Sequence, residues 1–233
     1  MIPLRDANPI RRTPVITLAL IAACFAVFAW EIVVWAQGGD IALDDLVKAR
    51  GLTPAKLSAA LRDGAPLSQP VLTVFSAMFL HGGWLHILGN MLFLWIFGGR
   101  VEDRMGRAWF VVFYLLGGIA AAAAQTLVDP SLDEPVVGAS GAIAAVLGAY
   151  LVLYPRARIQ SLVFLGFFYQ LIAVPSVFVL AFWFLLQLVD GIASLGSSGI
   201  NSGVAVFAHI GGFAAGAVLA LPFRARLLGR RDG

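Results

Sequence analysis

The chain has 233 residues, of which 60% are hydrophobic and 12% charged, with a formal net charge of +3. Soluble domains carry about a quarter charged residues, so this composition excludes an ordinary soluble globular domain. In a chain this apolar the placement of Lys and Arg matters more than their sum, and nothing supports nucleic-acid binding. The single cysteine, Cys24, excludes an intramolecular disulfide and a cysteine-based metal cage.

In chain order, residues 1–13 form a tail that carries arginines ahead of a first apolar run at 14–36. That run shows no convincing small-residue cleavage site, so it reads as a first membrane span rather than a removed signal. A loop follows over 37–71, in which TPAKLSAALRDG predicts a short interfacial helix with Thr53 as N-cap, Pro54 at the first helical position and Leu57, Ala60 and Leu61 on the apolar face. Further spans are predicted at 80–99, 109–128, 139–154, 174–191 and 204–223, each long enough to cross or nearly cross a hydrocarbon core about 30 Å thick. With the N-terminus cytoplasmic, the inner loops and tails collect Arg5, Arg11, Arg12, Arg100, Arg104, Arg107, Arg156, Arg158, Arg224, Arg226, Arg230 and Arg231, leaving only Lys48, Arg50, Lys56 and Arg62 outside. This bias predicts six spans with both termini inside. The apolar stretch 159–173 competes as a seventh span, but a seventh crossing would send the arginine-rich C-terminus outside. It is therefore expected to be interfacial or partly buried, ending near Pro175. The Gly/Ser content of 194–203 predicts a mobile outer loop.

Polar side chains are costly in hydrocarbon, so those left inside spans are informative. Span two carries His81, His86 and Asn90, span four opens around Ser140, and span six holds His209. All of these lie towards the outer, N-terminal ends of their helices. At about 1.5 Å per residue His209 sits roughly 8 Å deep, level with the others. His86 and Asn90 are four apart and project from one helix face. His81, five residues before His86, is expected on a different face with a structural role. Ser140 lies in Gly138-Ala139-Ser140-Gly141, where small neighbours admit a substrate backbone and a helix start favours negative charge. Gly212 and Gly216 form a GxxxG, and Gly141/Ala145 and Ala144/Gly148 place small residues at the same spacing in span four, so the two helices can pack closely.

A serine hydroxyl becomes a nucleophile when a base takes its proton, which assigns Ser140 as nucleophile and His209 as general base. His86, Asn90 and the N–H of Ser140 would stabilise an oxyanion. No carboxylate is placed to complete a triad, Asp190 having no route to His209, so the expectation is a Ser-His dyad.

These motifs resemble the rhomboid family: HGGWLHILGNM its His-rich second span, GASG its GxSG nucleophile motif, and AHIGGFAAG its AHxxGxxxG motif, with RVEDRMG between the first two. The resemblance extends from about Leu72 to Phe223 and places three motifs in order on spans two, four and six. It implies an all-α polytopic membrane protein with a six-helix bundle, a protease core over 72–223 and a cytoplasmic tail over 224–233. The implied activity is that of a serine endopeptidase cutting substrate transmembrane segments near their outer ends, with Ser140 and His209 as dyad and His86 and Asn90 assisting the oxyanion. Span five and the loop after it would admit the substrate laterally. Two departures stand out. The Trp-Arg pair that some members carry in the first loop is absent near Leu72-Thr73, and the Tyr that some members place four residues after the nucleophile is Ala144 here.

Two other readings differ in class. An inactive relative would bind transmembrane clients without cutting them, although such proteins typically lose the Ser or His. A transporter or metal channel would use the three histidines, but no membrane-embedded Asp or Glu is expected near them and the His81–His86 spacing suits one metal poorly. No cofactor and no metal are expected. The expected partners are substrate transmembrane segments and lipid, and the expected location is a bacterial inner membrane.

Overall fold

The computed structural model describes residues 2–7, 10–165, 168–185 and 205–228. In chain order the elements are β1 (Ile2–Asp6), α1 (Val15–Arg50), α2 (Pro54–Asp63), α3 (Ser68–Ala77) and α4 (Trp84–Phe93), which continues through a π-helical turn (Leu94–Gly98) into α5 (Gly99–Met105). Then come α6 (Arg107–Val128), α7 (Ser140–Leu153), β2 (Arg158–Leu165), β3 (Phe168–Pro175), α8 (Ser176–Leu185), α9 (Val206–Leu219) and α10 (Leu221–Leu228). Among the described residues, four helical runs are long and apolar enough to span a membrane: Val15–Arg50, Trp84–Met105, Arg107–Val128 and Val206–Arg224. Helices α7 and α8 are shorter and apolar. The chain folds as a multi-pass helical membrane bundle with a small sheet at one end.

Helix α7 is the centre. Its residues are hydrophobic all round and buried on nearly every side, as expected of a helix enclosed by others. At 14 residues it is only about 21 Å long, shorter than the hydrocarbon core. Helices α6 and α9 pack on it most closely. The sequence permits this because the contact positions lack side chains: a Cβ on Gly212 would strike the Gly141 carbonyl, one on Gly216 the Ala145 carbonyl, and one on Gly148 the Phe213 carbonyl. By contrast α1 buries a single stripe, Thr17, Cys24, Phe28 and Glu31, and leaves the rest of its surface for lipid.

The acidic-basic run after α4 ties one end of the bundle together. Pro14 precedes α1 and offers no side-chain cap, so the free N–H groups of its first turn find an acceptor elsewhere. Glu102, only 2% exposed, accepts from Ile16 N at 3.0 Å and from both Thr17 N and Thr17 Oγ at 2.8 Å. Asp103 accepts from Arg11 N, and Arg104 donates to the Phe223 carbonyl. Arg100 pairs with Asp6 and lies over the Tyr154 ring, while the Tyr150 hydroxyl donates to Asp6. The N-terminal segment, the 100–107 turn, the end of α7 and the start of α10 thus meet at one end.

Several boundaries differ from expectation. The first helix does not end at 36: it breaks at Gly39, whose φ of 68° breaks the helical path, and resumes to Arg50. The second membrane helix begins at Trp84 rather than 80, because Gly83 adopts φ 146°, which favours glycine, and it continues past 99 to Met105. In α2, Pro54 takes the first helical position as predicted, but Thr53 makes no capping hydrogen bond and Leu61 is exposed, while Leu57 packs beside Leu52, Val74 and Ala122.

The described residues of the 159–173 stretch form strands rather than a helix. They build the antiparallel β2–β3 hairpin, which β1 extends on the β2 side in the order β1-β2-β3. The hairpin follows α7 and returns to bring Pro175 opposite Arg158, so its two ends lie side by side. Ile159 and Ser161, two apart and therefore on one face, are fully buried against the bundle. Helix α8 follows directly, so the start of the predicted fifth span at Val174 is strand and the helix begins at Ser176. The rest of that span beyond Leu185, the loop 194–203, Asp190, Arg230 and Arg231 lie outside the described residues.

Glu102→Ala should lower stability by about 3 kcal/mol, since it removes the acceptor from two buried donors of Thr17 and a half-buried one of Ile16. Thermal unfolding in detergent checks this.

Candidate active site

Ser140 is the first residue of α7, and two contacts set its approach. Val136 pairs with Leu52 through both main-chain hydrogen bonds, and Gly138 N donates to the Ala77 carbonyl at 2.8 Å. Gly138 takes φ 126°, a conformation that L side chains rarely adopt. Space forbids a side chain there as well, because a Cβ on Gly138 would lie 2.6 Å from His86 Nε2 and 3.5 Å from Ser140 Oγ. The small residue before the nucleophile therefore lets the His86 ring approach the serine.

His209 lies in the first turn of α9, where the close α7–α9 contact brings it to Ser140. Its Nε2 is 2.6 Å from Ser140 Oγ. The ring is 7% exposed and packs against the Trp183 ring of α8 with centroids 5.9 Å apart. Trp183 in turn stacks on Phe213, one turn further along α9. Gln125 of α6 accepts from Ala208 N at 3.2 Å, satisfying one of the donors that a helix start leaves free.

His86 and Asn90 both line a cavity of about 470 Å³ together with Ser140, His209, Phe93, Ile143, Leu147 and Trp183. Asn90 is buried, and its amide nitrogen has no hydrogen-bond partner among the described residues, so it is a free donor. Chemically the arrangement offers a hydroxyl beside an imidazole, a second imidazole and an amide facing a common space, and an apolar wall. The glycines have distinct duties: Gly138 makes room for His86, Gly141 abuts Ala121, and Gly212 and Gly216 set the α7–α9 approach.

His81 is expected on another face of the helix that carries His86, and it lies elsewhere. It is not on the helix with His86 but in the preceding turn, and the two rings meet edge-on with centroids 5.2 Å apart. The expectation that no membrane-embedded carboxylate lies near the histidines is also overturned: Glu31 of α1, 3% exposed, accepts from His81 N at 3.2 Å with both oxygens. A lone carboxylate in an apolar span was itself a visible signal. Trp183 and Gln125 carried none, being ordinary residues of their spans. Among the described residues no three His, Cys, Asp or Glu side chains are placed to hold a metal ion.

The model of the Rhomboid domain family matches residues 68–226, which takes in every residue of this cavity. The chain belongs to the rhomboid family. Rhomboid protease GluP of Bacillus subtilis is 33% identical over 158 residues, 68% of this chain and 28% of that protein. RHOMBOID-like protein 1 of Arabidopsis thaliana is 31% identical over 156 residues, 67% of this chain and 35% of the relative. RHOMBOID-like protein 5 of the same plant is 36% identical over 78 residues, 34% of this chain and 25% of that protein. The match thus covers between a quarter and about a third of these relatives.

Gly138→Ala should cost about 1–3 kcal/mol through backbone strain and the collision with His86. Gly89→Ala, on the cavity wall with open space around it, should be neutral or slightly stabilising because alanine favours the helix. Paired thermal unfolding of the two variants distinguishes site strain from a general intolerance of added bulk.

Proposed function

We propose that this rhomboid protein is an intramembrane serine endopeptidase in which Ser140 and His209 act as a dyad. The observation that carries the reading is the 2.6 Å contact between His209 Nε2 and Ser140 Oγ at the starts of two closely packed helices. In this mechanism the Ser140 hydroxyl attacks the scissile carbonyl as its proton passes to Nε2. The same imidazolium then protonates the leaving amine, and a water molecule, activated by the imidazole, hydrolyses the acyl-enzyme. The tetrahedral oxyanion receives hydrogen bonds from the Ser140 N–H, which has no intrahelical partner at a helix start, and from His86 and Asn90. Each such donor typically lowers the barrier by about 3 kcal/mol. The Trp183 ring packs on the His209 imidazole and helps hold the base in place.

The substrates are transmembrane segments of other membrane proteins. A peptide bond inside an intact helix is shielded by its own hydrogen bonds, so cleavable segments carry small or helix-destabilising residues at the cut. The chain crosses the membrane six times with both termini cytoplasmic, a reading supported by the arginine bias and by the 100–107 turn, which binds the N-terminal segment through Asp103 and the start of α10 through Arg104, while Asp6 meets the end of α7. The protein then resides in a bacterial inner membrane, with the core over 72–223 preceded by the span 14–36 and the outer loop 37–71.

Purified protein should cleave a tagged transmembrane substrate, and Ser140→Ala and His209→Ala should each reduce cleavage by about 10⁴-fold or more while retaining the fold. Residual cleavage by Ser140→Ala at the wild-type level would remove Ser140 as nucleophile. No cleavage by the wild type across several substrates would shift the reading to a client-binding protein. Separately, leucines in place of the small residues of a cleaved substrate should slow its cleavage, as read by product formation on gels.

A further inference from the structure

The turn between α3 and α4 carries hydrogen bonds that the dyad does not explain. Gly82 N donates to His86 Nδ1 at 3.3 Å. An imidazole nitrogen that accepts an N–H bears no proton, so the neutral ring carries its hydrogen on the other nitrogen. That other nitrogen, Nε2, is the one beside Gly138 and Ser140. The main chain of Gly82 therefore makes His86 a donor on the side facing the nucleophile, which is what an oxyanion requires.

The turn is held in place by its neighbour. His81 N is anchored on the Glu31 carboxylate by two 3.2 Å contacts. His81 Nδ1 lies 3.0 Å from the Phe79 carbonyl, which can only accept, so Nδ1 carries that ring's proton. The His81 ring then rests edge-on against His86. Its own Nε2 is buried with no partner among the described residues, so the ring serves as a spacer rather than as a relay. A buried carboxylate in a lipid-facing helix is expensive unless it serves a purpose, and among the described residues its hydrogen-bond partner is the peptide N–H adjoining Gly82.

We propose that Glu31 is a positioning residue: by holding the His81–Gly82 main chain it directs the Gly82 N–H onto Nδ1 of His86 and keeps the His86 proton on Nε2, facing Ser140. The catalytic value of this arrangement rests on the protease reading above, whereas the tautomer does not.

The test uses full-length protein labelled with ¹⁵N-histidine, whose three histidines are assigned by single substitution. At mildly alkaline pH, His86 is expected as the Nε2–H tautomer in the wild type and in Glu31→Gln, which keeps an acceptor oxygen. In Glu31→Met, of similar length but without an acceptor, the Nδ1–H form should appear. On a cleaved substrate, Glu31→Met should lower kcat by roughly 10- to 100-fold with KM changed by less than about twofold, the pattern of a misplaced catalytic group, and Glu31→Gln should recover most of that loss. The proposal is overturned if wild-type His86 carries its proton on Nδ1, if Glu31→Met leaves the tautomer unchanged, or if Glu31→Gln is as impaired as Glu31→Met. Should Glu31→Met not fold, the wild-type and Glu31→Gln spectra still decide. Absence of cleavage by the wild type would sink the protease reading and leave the spectra to judge the tautomer alone.

Discussion

Two helices that nearly touch through their backbones set the geometry of everything else. In hydrocarbon no hydrophobic force draws apolar helices together, so close packing must supply the attraction. Here it does so where Gly212 meets the Gly141 carbonyl and Gly216 the Ala145 carbonyl, with Gly148 answering from the other side against Phe213. Any side chain at these positions would push α7 and α9 apart. The separation matters because Ser140 and His209 stand at the starts of those helices, and a hydroxyl–imidazole hydrogen bond tolerates little displacement. The central helix is short and enclosed, so it moves only if its neighbours move with it.

Around this contact, buried polar groups are assigned to helix starts rather than to one another. Glu102 satisfies the first turn of α1, Gln125 the first turn of α9, and Glu31 the peptide that leads into α4. Each serves a donor that a helix terminus leaves without an intrahelical partner or that lies in the turn just before one. The pattern suits a membrane protein, in which an orphaned N–H has no water to turn to. It also gives the two ends of the bundle different characters. One end is tied by Asp6, Arg100, Tyr150 and Arg104 to the terminal segments. The other is tied mainly by main-chain bonds, Leu52 with Val136 and Ala77 with Gly138, and there the polar side chains face a cavity.

Much of this was readable along the chain. Hydropathy marks the membrane helices because lipid imposes a minimum apolar length on any segment that crosses it. The arginine placement carries the expectation of sidedness. The few polar residues left within spans stand out because hydrocarbon penalises all others, and the placing of Ser140 and His209 near the starts of their helices follows from their sequence positions. For that reason His86, Asn90, Ser140 and His209 were nameable together, and GxxxG at 212 and 216 pointed to the helix pair that joins two of them.

Only the tertiary structure decided the remainder, since it depends on contacts between residues distant in sequence. The stretch 159–173 has no period that separates a strand from a short buried helix, and its partner β1 lies at the opposite end of the chain. His81 looked remote from His86 on a helical wheel, yet two glycines keep it off the helix and let the rings meet. Trp183 is one aromatic among many until α8 lays it on His209, and Glu31 gains a partner only when α1 packs beside the 79–83 turn. Composition and periodicity determined which segments are apolar enough to enter a membrane, because that requirement follows from the solvent. Which of them touch was left to packing, because a contact depends on how neighbouring helices are rotated and how closely they approach, and no local pattern records either.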